Sequence, residues 1–441
     1  MTGADPEARC AAALDEALAR HGLQRAPLLV AFSGGPDSSL LLALAAARGP
    51  RRRVRAVHVD HGWHSASAEW AAHCRVVAAE LRVSCEVVTV DCTARAGEGP
   101  EAAARAARYA ALAARLGRGE VLLTAHHADD QAETALFGLL RGGGVRALAA
   151  MPELRTFARG FHLRPLLERP RDVIAAAGAA RGLATLADPA NEDTDHDRVF
   201  LRQRVLPLLR ERWPQIDGGL VRSSRLARDS VAVEDSLIAH DLAHCRGSRD
   251  GTLEVAPLMR LPPARQRALV RGWLRREGLA VAPERRLHEA LRQVADAAPD
   301  RNPRIDWPGG EIRRWNGLLW ARAPHPDPSP GERHVWSRPD RPLDLPDQRV
   351  QPERLVALFG GERPRGTVEL VRRMGGERLV PAGTSRERAL TELLRAAGLP
   401  PWQRGAALLV EHEGRVVGVL ARGLTLRASE PPRPDSPTRY D

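Results

Sequence analysis

The spacing of apolar residues changes in a regular way along the first third of the chain. Short apolar runs predict buried strands at 28–34, 54–62, 84–91 and 120–127. The longer amphipathic or alanine-rich segments that follow them predict helices at 38–47, 67–81, 99–116 and 128–141. Strands that alternate with helices of this length are typical of βαβ units. We therefore predict an α/β fold with a Rossmann-like parallel sheet.

The pattern turns helical after about residue 170 and changes again after a proline-rich segment. Beyond that segment, a strand, a helix and a hairpin with the turn EHEGR form a small mixed module. These changes divide the chain into an α/β domain, a helical domain, a Pro-rich linker, a small α+β domain and a disordered tail. The predicted bounds are 1–215, 216–322, 323–346, 347–428 and 429–441.

The chain contains no lysine, so its whole basic complement is arginine. This absence excludes Walker-A nucleotidases, protein kinases and Schiff-base enzymes, all of which require a lysine. We attribute it to coding bias, since Ala, Arg, Gly and Pro are abundant. The formal net charge of +11 favours a polyanionic partner, nucleic acid first. The alternative is that arginine is merely the default surface charge of this chain.

Hydropathy and cysteine usage predict a soluble, cytoplasmic protein. Hydrophobic residues make up 43% of the chain and the mean hydropathy is −0.33. Its five cysteines form no CxxC pair, which fits buried thiols in a reducing compartment. The N-terminus lacks the pattern of a signal peptide, and no run approaches the about 18 apolar residues of a membrane span.

A glycine-rich loop follows the first predicted strand, at the edge where parallel sheets bind ligands. Its sequence is Ser33-Gly34-Gly35-Pro36-Asp37-Ser38-Ser39, and a helix begins within it. Paired glycines let backbone N–H groups close around a phosphate, and the helix start and serine hydroxyls add donors. Asp37 could hold Mg²⁺ against those phosphates. The alternative is an ordinary turn in which aspartate and serine cap the helix.

Polar residues also follow the second and fourth predicted strands. His58, Asp60 and His61 could belong to a metal site, which would need further ligands. The alternative is that Asp60 and His61 simply form hydrogen bonds at a strand end. Asp130 and Glu133 are three residues apart and therefore share one face of a helix N-terminus. Two carboxylates there could hold Mg²⁺ or accept a proton, whereas the alternative is helix capping.

The loop SGGPDSS resembles that of the N-type ATP pyrophosphatases, the PP-loop family, which bind the pyrophosphate end of ATP there. Further segments narrow the resemblance: HVDHGW, PEAAARAARYAAL, TAHHADDQAETALFGLLRGGG, RPLLERPR, ADPANEDTDHDRVFLRQRVLPLL, RRMGGERLVPAG and LPPWQRG. In this order, from residue 28 to about 425, they are similar to the tRNA(Ile)-lysidine synthetases in their long, three-domain form.

The resemblance implies a ligase that attaches free L-lysine to C2 of the wobble cytidine in tRNA(Ile) with a CAU anticodon. The reaction would pass through an adenylylated cytidine and release AMP and pyrophosphate, changing codon reading and charging from methionine to isoleucine. Residues 1–215 would be the catalytic domain that binds ATP, and residues 216–322 and 347–428 would bind tRNA. We also allow for a homodimer.

The same resemblance implies roles for individual residues. ATP would be bound by the loop Ser33–Ser39 with His58 and Asp60, and Mg²⁺ by Asp37 and Asp130. The amine of lysine has an ordinary pKa of about 10.4, so a carboxylate should take its proton. Asp130 and Glu133 both remain candidates. A cation should offset charge on the reacting phosphate, and Arg202 or Arg108 would supply it. The remaining candidates for tRNA contact are Arg108, Arg198, Arg378 and Arg386.

The chain departs from the family pattern at two positions. His196 stands where the family usually has an aromatic residue, and Val199 where it usually has Asn, so nothing is carried over to Val199. In the C-terminal module, arginines such as Arg378 and Arg386 stand where lysines are usual. Two other functions stay open. A tRNA cytidine thiolase would usually need paired cysteines, and a non-catalytic tRNA-binding protein would have a decayed nucleotide site.

Overall fold

The protein is described by a computed structural model that covers residues 5–48, 53–62, 67–92, 100–186, 197–298, 301–324, 328–364 and 366–429. It divides into two compact units, Met1–Ser236 and Leu237–Asp441. The division falls within one long helix, so the predicted border at residues 215 and 216 stays a prediction. None of the helices in the described ranges combines the length and apolar character needed to cross a bilayer.

A six-stranded sheet forms the centre of the first unit, in the order β3-β2-β1-β4-β6-β5. Its strands are β1 (Leu28–Ala31), β2 (Val54–Asp60), β3 (Ser84–Thr89), β4 (Val121–Leu123), β5 (Leu154–Phe157) and β6 (Gly160–Leu163). All neighbouring strands pair in parallel except β5 and β6, which form an antiparallel hairpin at one edge. The predicted parallel sheet is therefore confirmed, and its strand order reverses between β1 and β4.

Helices cover both faces of this sheet because the side chains of its short strands alternate. Leu28 and Val30 belong to a core with α1, α2, α3 and α7, whereas Leu29 packs on the opposite face with α4. Burying each such side chain stabilises the fold by about 1.5–3 kcal/mol. The helices are α1 (Pro6–Arg20), α2 (Pro36–Ala46), α3 (Ser67–Glu80), α4 (Pro100–Arg115), α5 (Ala128–Leu140), α6 (Gly144–Leu148) and α7 (Arg171–Ala180).

A broken helix ends the part of the chain that builds the site. It consists of α8 (Asp197–Phe200), a π-helical turn (Leu201–Val205) and α9 (Leu206–Arg212). The backbone N–H of Leu206 bonds the carbonyl of Leu201, five residues earlier. Pro207 follows at the start of α9 and has no N–H to offer an α-helical ladder. The next helix, α10, spans Ile216–His244.

The first half of the second unit is not purely helical, which corrects the prediction for residues 216–322. Besides α11 (Val255–Arg260), α12 (Pro263–Arg276) and α13 (Glu284–Asp296), it holds a four-stranded sheet in the order β7-β10-β9-β8. The strands are β7 (Thr252–Glu254), β8 (Arg304–Trp307), β9 (Gly310–Trp315) and β10 (Leu318–Arg322). Asn316 and Gly317 turn β9 into β10 with φ of 48° and 73°. An Asn-Gly pair between apolar runs is a hairpin signal that the helical interpretation missed.

The second half of this unit is built on a five-stranded antiparallel sheet in the order β11-β14-β17-β18-β19. The strands are β11 (Arg333–Trp336), β12 (Leu343–Asp344), β13 (Arg349–Val350), β14 (Val368–Arg372), β15 (Arg378–Leu379), β16 (Arg388–Ala389), β17 (Leu408–His412), β18 (Arg415–Ala421) and β19 (Leu424–Arg427). The helices are α14 (Pro352–Leu358), α15 (Leu390–Ala396) and α16 (Pro401–Gly405).

Two details of this half bear on the predictions. The hairpin predicted at EHEGR is confirmed as β17 and β18. The segment predicted as a Pro-rich linker, 323–346, contains β11, which pairs with β14 along four residues and buries Trp336. That part is therefore a sheet edge rather than a linker. Residues 430–441 of the predicted tail and His196 lie outside the described residues.

Candidate active site

The loop between β1 and α2 is held by its own serines. Ser33 and Ser38 hydroxyls lie 3.0 Å apart, and the Ser38 hydroxyl donates to the carbonyl of Gly35 at 3.0 Å. Helix α2 then begins at Pro36 with no side-chain cap on Gly35, so its first N–H groups stay available. Ser39 Oγ is buried and has no hydrogen-bond partner within the described chain. The loop thus offers free donors to an anion.

Gly34 is required by the backbone of this loop. Its φ is +82°, and a Cβ there would come within 3.0 Å of Cys74 Sγ and 3.3 Å of Leu186 Cδ1. The carbonyl of Gly34 also accepts a hydrogen bond of 3.0 Å from the N–H of Leu186. Gly35, by contrast, has an ordinary φ of −74°. Of the two glycines that the sequence singled out, the first carries the conformational constraint.

His58 and Asp60 lie beside this loop but form hydrogen bonds within the protein. His58 is buried, and its Nδ1 lies 3.0 Å from the carbonyl oxygen of Phe32 and 3.3 Å from Cys74 Sγ. Burial lowers the pKa of His58. Asp60 accepts a hydrogen bond of 2.8 Å from the N–H of Gly62. The hydrogen bond of Asp60 matches the strand-end alternative stated for it, and the contact of His58 and Asp60 with ATP stays a prediction.

His127 brings the two sides of the strand-order reversal together. Its Nε2 lies 3.7 Å from Asp37 Oδ2, after β1, and 3.5 Å from Asp130 Oδ2, after β4. Asp130 also accepts a hydrogen bond of 3.1 Å from the N–H of His127, which caps α5. Burial raises the pKa of Asp37, the charge of His127 opposes this shift, and Asp130 adds to it. Two predicted carboxylates therefore share one imidazole.

Glu133 is the most buried carboxylate of this group, and Arg202 neutralises it. The Nε and Nη2 atoms of Arg202 donate to Glu133 Oε2 at 3.0 and 2.8 Å, and Nη2 also lies 3.5 Å from Asp130 Oδ1. Arg198 Nη1 stands 3.8 Å from Glu133 Oε1. Burial raises the pKa of Glu133, while the charge of Arg202 opposes the shift. Arg202, in the π-helical turn, thus contacts Glu133 of α5, which lies about seventy residues earlier in the chain.

A second ion network, centred on Arg210, holds the start of α5, the helix that carries Asp130 and Glu133. The sequence did not reveal this network. Arg210 donates to Asp129 Oδ2 at 2.8 Å and to both oxygens of Asp217 at 2.6 and 2.9 Å. Asp129 Oδ1 accepts the backbone N–H of Arg171 at 3.1 Å. It thereby ties the start of α5 to α7, α9 and α10. Arg210 has no distinguishing motif, so only the fold shows its role.

A buried histidine cluster adjoins the site on the β6 side. Thr124 Oγ1 lies 2.7 Å from His126 Nδ1 and 2.8 Å from His162 Nε2. Arg105, Arg108 and Arg155 lie 5.2 to 5.6 Å from the centre of the Tyr109 ring. Arg108 is therefore part of a cationic group around an aromatic ring, which fits either of its predicted roles without choosing one.

The two C-terminal candidates belong to the second unit. Arg378 Nε donates to Glu387 Oε2 at 2.6 Å, between the short strands β15 and β16. Arg386 is exposed and has no ion-pair or hydrogen-bond partner among the residues that the structure describes. Their contact with tRNA stays a prediction.

Among the residues that the structure describes, the site has donors for a nucleotide but no preformed metal cage. Within the described ranges, no three His, Cys, Asp or Glu side chains gather into a metal-binding group. Mg²⁺ in nucleotide enzymes usually takes one or two carboxylates and completes its shell with phosphates and water. Asp37 and Asp130, which approach the same ring nitrogen, fit that requirement. The arrangement suits phosphate binding at the loop and proton transfer at Glu133.

Three family models match successive parts of the chain. The PP-loop domain matches residues 6–209, the TilS substrate binding domain residues 253–320, and the TilS substrate C-terminal domain residues 368–433.

Several relatives share most of their length with this chain. The tRNA(Ile)-lysidine synthase of Alkalilimnicola ehrlichii is 41% identical over 430 residues, covering 95% of both chains. That of Methylococcus capsulatus is 38% identical, covering 88% of this chain and 90% of its own. That of Xanthomonas campestris pv. campestris strain 8004 is 42% identical and covers 86% of each.

Among solved structures, a U34-tRNA thiolase from Methanococcus maripaludis is similar with a TM-score of 0.41. It is 17% identical and covers 50% of this chain and 79% of its own.

Proposed function

The chain belongs to the tRNA(Ile)-lysidine synthase family, and we propose that it ligates free L-lysine to C2 of the wobble cytidine in tRNA(Ile) with a CAU anticodon. ATP activates the cytidine, and AMP and pyrophosphate are released. One observation carries the proposal from the structure: the Ser33–Ser39 loop and the carboxylates of α5 meet where the strand order reverses. A cytoplasmic location belongs to the same proposal.

The first step needs donors around a triphosphate, and the loop supplies them. The free N–H groups at the start of α2 fit an anionic ligand. Asp37 and Asp130 would hold Mg²⁺, which supplies neutralisation of phosphate charge when bound. Arg108 or Arg202 offsets the charge that develops on the reacting phosphate. Arg202 is already engaged by Glu133, so it would serve both groups.

The second step needs a carboxylate that can accept a proton from the lysine amine. We assign this role to Glu133 rather than Asp130. Burial raises the pKa of Glu133, which favours proton uptake by its carboxylate. Asp130 is left to hold the cation, and Arg198 and Arg202 keep the protonated and ionised forms of Glu133 in one position.

The cysteines give no support to the thiolase alternative. All five are free thiols, and burial raises the pKa of Cys74 to about 12, so it stays protonated at neutral pH. A non-catalytic protein has no observation in its favour, because the loop and the carboxylates are all assembled. The phosphate backbone of tRNA would be bound by arginines, among them Arg198, Arg378 and Arg386.

The test is direct transfer of a labelled amino acid. Purified protein is incubated with ATP, Mg²⁺, each radiolabelled amino acid in turn, and tRNA(Ile) bearing a CAU anticodon. We expect only lysine to enter the tRNA, with one AMP formed per lysine. The matched substrate control is methionine tRNA with the same anticodon, which should stay unlabelled. Absence of lysine transfer, or transfer of sulfur, would reject the function.

A further inference from the structure

The histidine cluster beside the site contains an unbroken chain of hydrogen bonds. Thr124 Oγ1 stands between two imidazoles, 2.7 Å from His126 Nδ1 and 2.8 Å from His162 Nε2. On the far side of His162, Nδ1 lies 3.2 Å from Arg155 Nε and 3.3 Å from Arg164 Nη2. Distances alone leave the direction of each bond open, because imidazole nitrogens and hydroxyls can donate or accept.

The arginines fix that direction. A guanidinium has donors and no acceptor, so Nδ1 of His162 can only accept from Arg155 and Arg164. A neutral imidazole that accepts at Nδ1 carries its proton at Nε2. His162 Nε2–H therefore donates to Thr124 Oγ1. An imidazolium at His162 would set a third positive charge against two guanidinium groups.

The hydroxyl of Thr124 then transmits the order to His126. Having accepted from His162, it donates its own proton to the acceptor within reach, His126 Nδ1. If His126 donated instead, the hydroxyl proton would have no partner in a site where Thr124 is 8% exposed and His162 is fully buried. The proton of His126 consequently lies on Nε2. Burial lowers the pKa of His126 to about 3 and that of His162 to about 2, in agreement with two neutral rings.

The outer nitrogen of His126 is free to meet a ligand. Nε2 has no hydrogen-bond partner in the described part of the chain and is not among its buried unpartnered atoms. His126 follows β4 at the edge of the sheet that carries the candidate site, next to His127. Burial favours the neutral form of His126 more strongly than the charge of Asp130 favours the imidazolium, so a neutral N–H donor suits this place.

We propose that Thr124 and His162 are positioning residues that hold His126 as a neutral Nε2–H donor to an oxygen of the reacting phosphate. The identity of the ligand, a phosphate oxygen, rests on the proposed function. The tautomer of His126 does not, because it follows from the hydrogen bonds alone. Arg155 and Arg164 act at one end of the chain of bonds and the substrate at the other. Such a donor is set before the substrate arrives, so it needs no reorganisation during the reaction.

Two variants separate the hydroxyl from the volume of Thr124. Thr124→Val keeps the shape and removes the hydrogen bonds, whereas Thr124→Ser keeps the hydroxyl. The spectroscopic measurement uses the full chain labelled with ¹⁵N-histidine, without substrates, and His126→Gln and His162→Gln variants assign the signals. We expect a pyridine-like Nδ1 and a pyrrole-like Nε2 for both rings. Thr124→Ser should preserve this pattern at His126, and Thr124→Val should give a mixture of tautomers there.

The kinetic measurement follows adenylylation of tRNA(Ile) by single turnover. We expect Thr124→Val to lower the maximal rate by on the order of 10- to 100-fold, with little change in the ATP concentration that gives half of it, and Thr124→Ser to restore most of the rate. A pyrrole-like Nδ1 of His126 in the original protein would overturn the proposal, as would a folded Thr124→Val variant with an unchanged rate. If the original protein transferred no lysine, the proposed function would fail while the tautomer result would still stand by itself.

Discussion

The replacement of Gly34 by alanine tests how the phosphate loop is built. A residue with a side chain at φ +82° costs about 1–3 kcal/mol relative to glycine. The new Cβ would also come within 3.0 Å of Cys74 Sγ, and Cys74 is fully buried in the core. Such overpacking adds about 1 kcal/mol or more. We therefore expect Gly34→Ala to lower the free energy of opening around the loop by roughly 2–4 kcal/mol.

Gly35→Ala is the matched control. Its φ is −74°, and its added Cβ would meet only Ser33 Oγ, at 3.5 Å. Alanine is a poorer N-cap residue than glycine, which destabilises the helix start, whereas it lowers the entropy of the unfolded chain, which stabilises the fold. The net change in the free energy of opening should therefore stay within about 1 kcal/mol.

The assay is hydrogen exchange of peptides covering α2, read by mass spectrometry, because global unfolding of a multidomain chain is not two-state. Adding Cys74→Ala should recover the steric part of the loss and leave the part due to φ. KM for ATP should rise with Gly34→Ala. If the two glycine variants opened alike, the backbone explanation of the loop would be refuted.

Four further predictions address charge. Arg202→Gln should raise the pKa of Glu133, because it removes the cation that opposes the effect of burial, and should shift the acidic limb of the kcat–pH profile to higher pH. The exposed Arg204→Gln is the control. An unchanged acidic limb in Arg202→Gln would contradict the prediction. Asp37→Asn should abolish adenylylation yet raise the melting temperature at pH 7. Its carboxyl is costly to ionise when buried, so this gain should shrink as pH falls toward 4 and the original side chain is protonated; a constant gain would show that ionisation is not the cause. Arg210→Ala should lower the melting temperature of the first unit, because it removes the contacts with Asp129 and Asp217. The exposed Arg212→Ala is the control. Equal melting temperatures of the two variants would contradict the prediction. In tRNA binding, Arg386→Gln should reduce the magnitude of the slope of log K against log salt by about 1. Arg378→Gln should reduce it less, since Glu387 already pairs with Arg378. An unchanged slope in Arg386→Gln would contradict a phosphate contact of Arg386.

The sequence predicted the sheet and the location of the site because both follow from local patterns. The strands β1 and β4 are short apolar runs with helices after them, and their carboxyl ends carry Asp37 and Asp130. In parallel sheets such ends meet at one edge, so the pairing of distant motifs needed no contact information.

Contacts between distant polar residues could not be predicted in the same way. Nothing local to Arg202 indicates that it meets Glu133, and nothing local to His162 indicates that it meets Thr124. The strand Arg333–Trp336 lies among prolines and owes its conformation to pairing with β14 rather than to its own composition. The hairpin at Asn316 was accessible from the sequence, but the helical pattern before it was extended too far.

The π-helical turn at Leu201–Val205 makes the geometry of the site depend on the number of residues between its motifs. Each residue of an α-helix turns the chain by about 100°, and a π turn accommodates one residue more than the α-helical ladder needs. Removing a single residue there would restore the α-helical register. The side chains before the deletion would then be rotated by about 100° relative to those after it. The guanidinium of Arg202 would then leave the carboxylate of Glu133, although both residues would still be present. Segment length here is thus as constrained as residue identity.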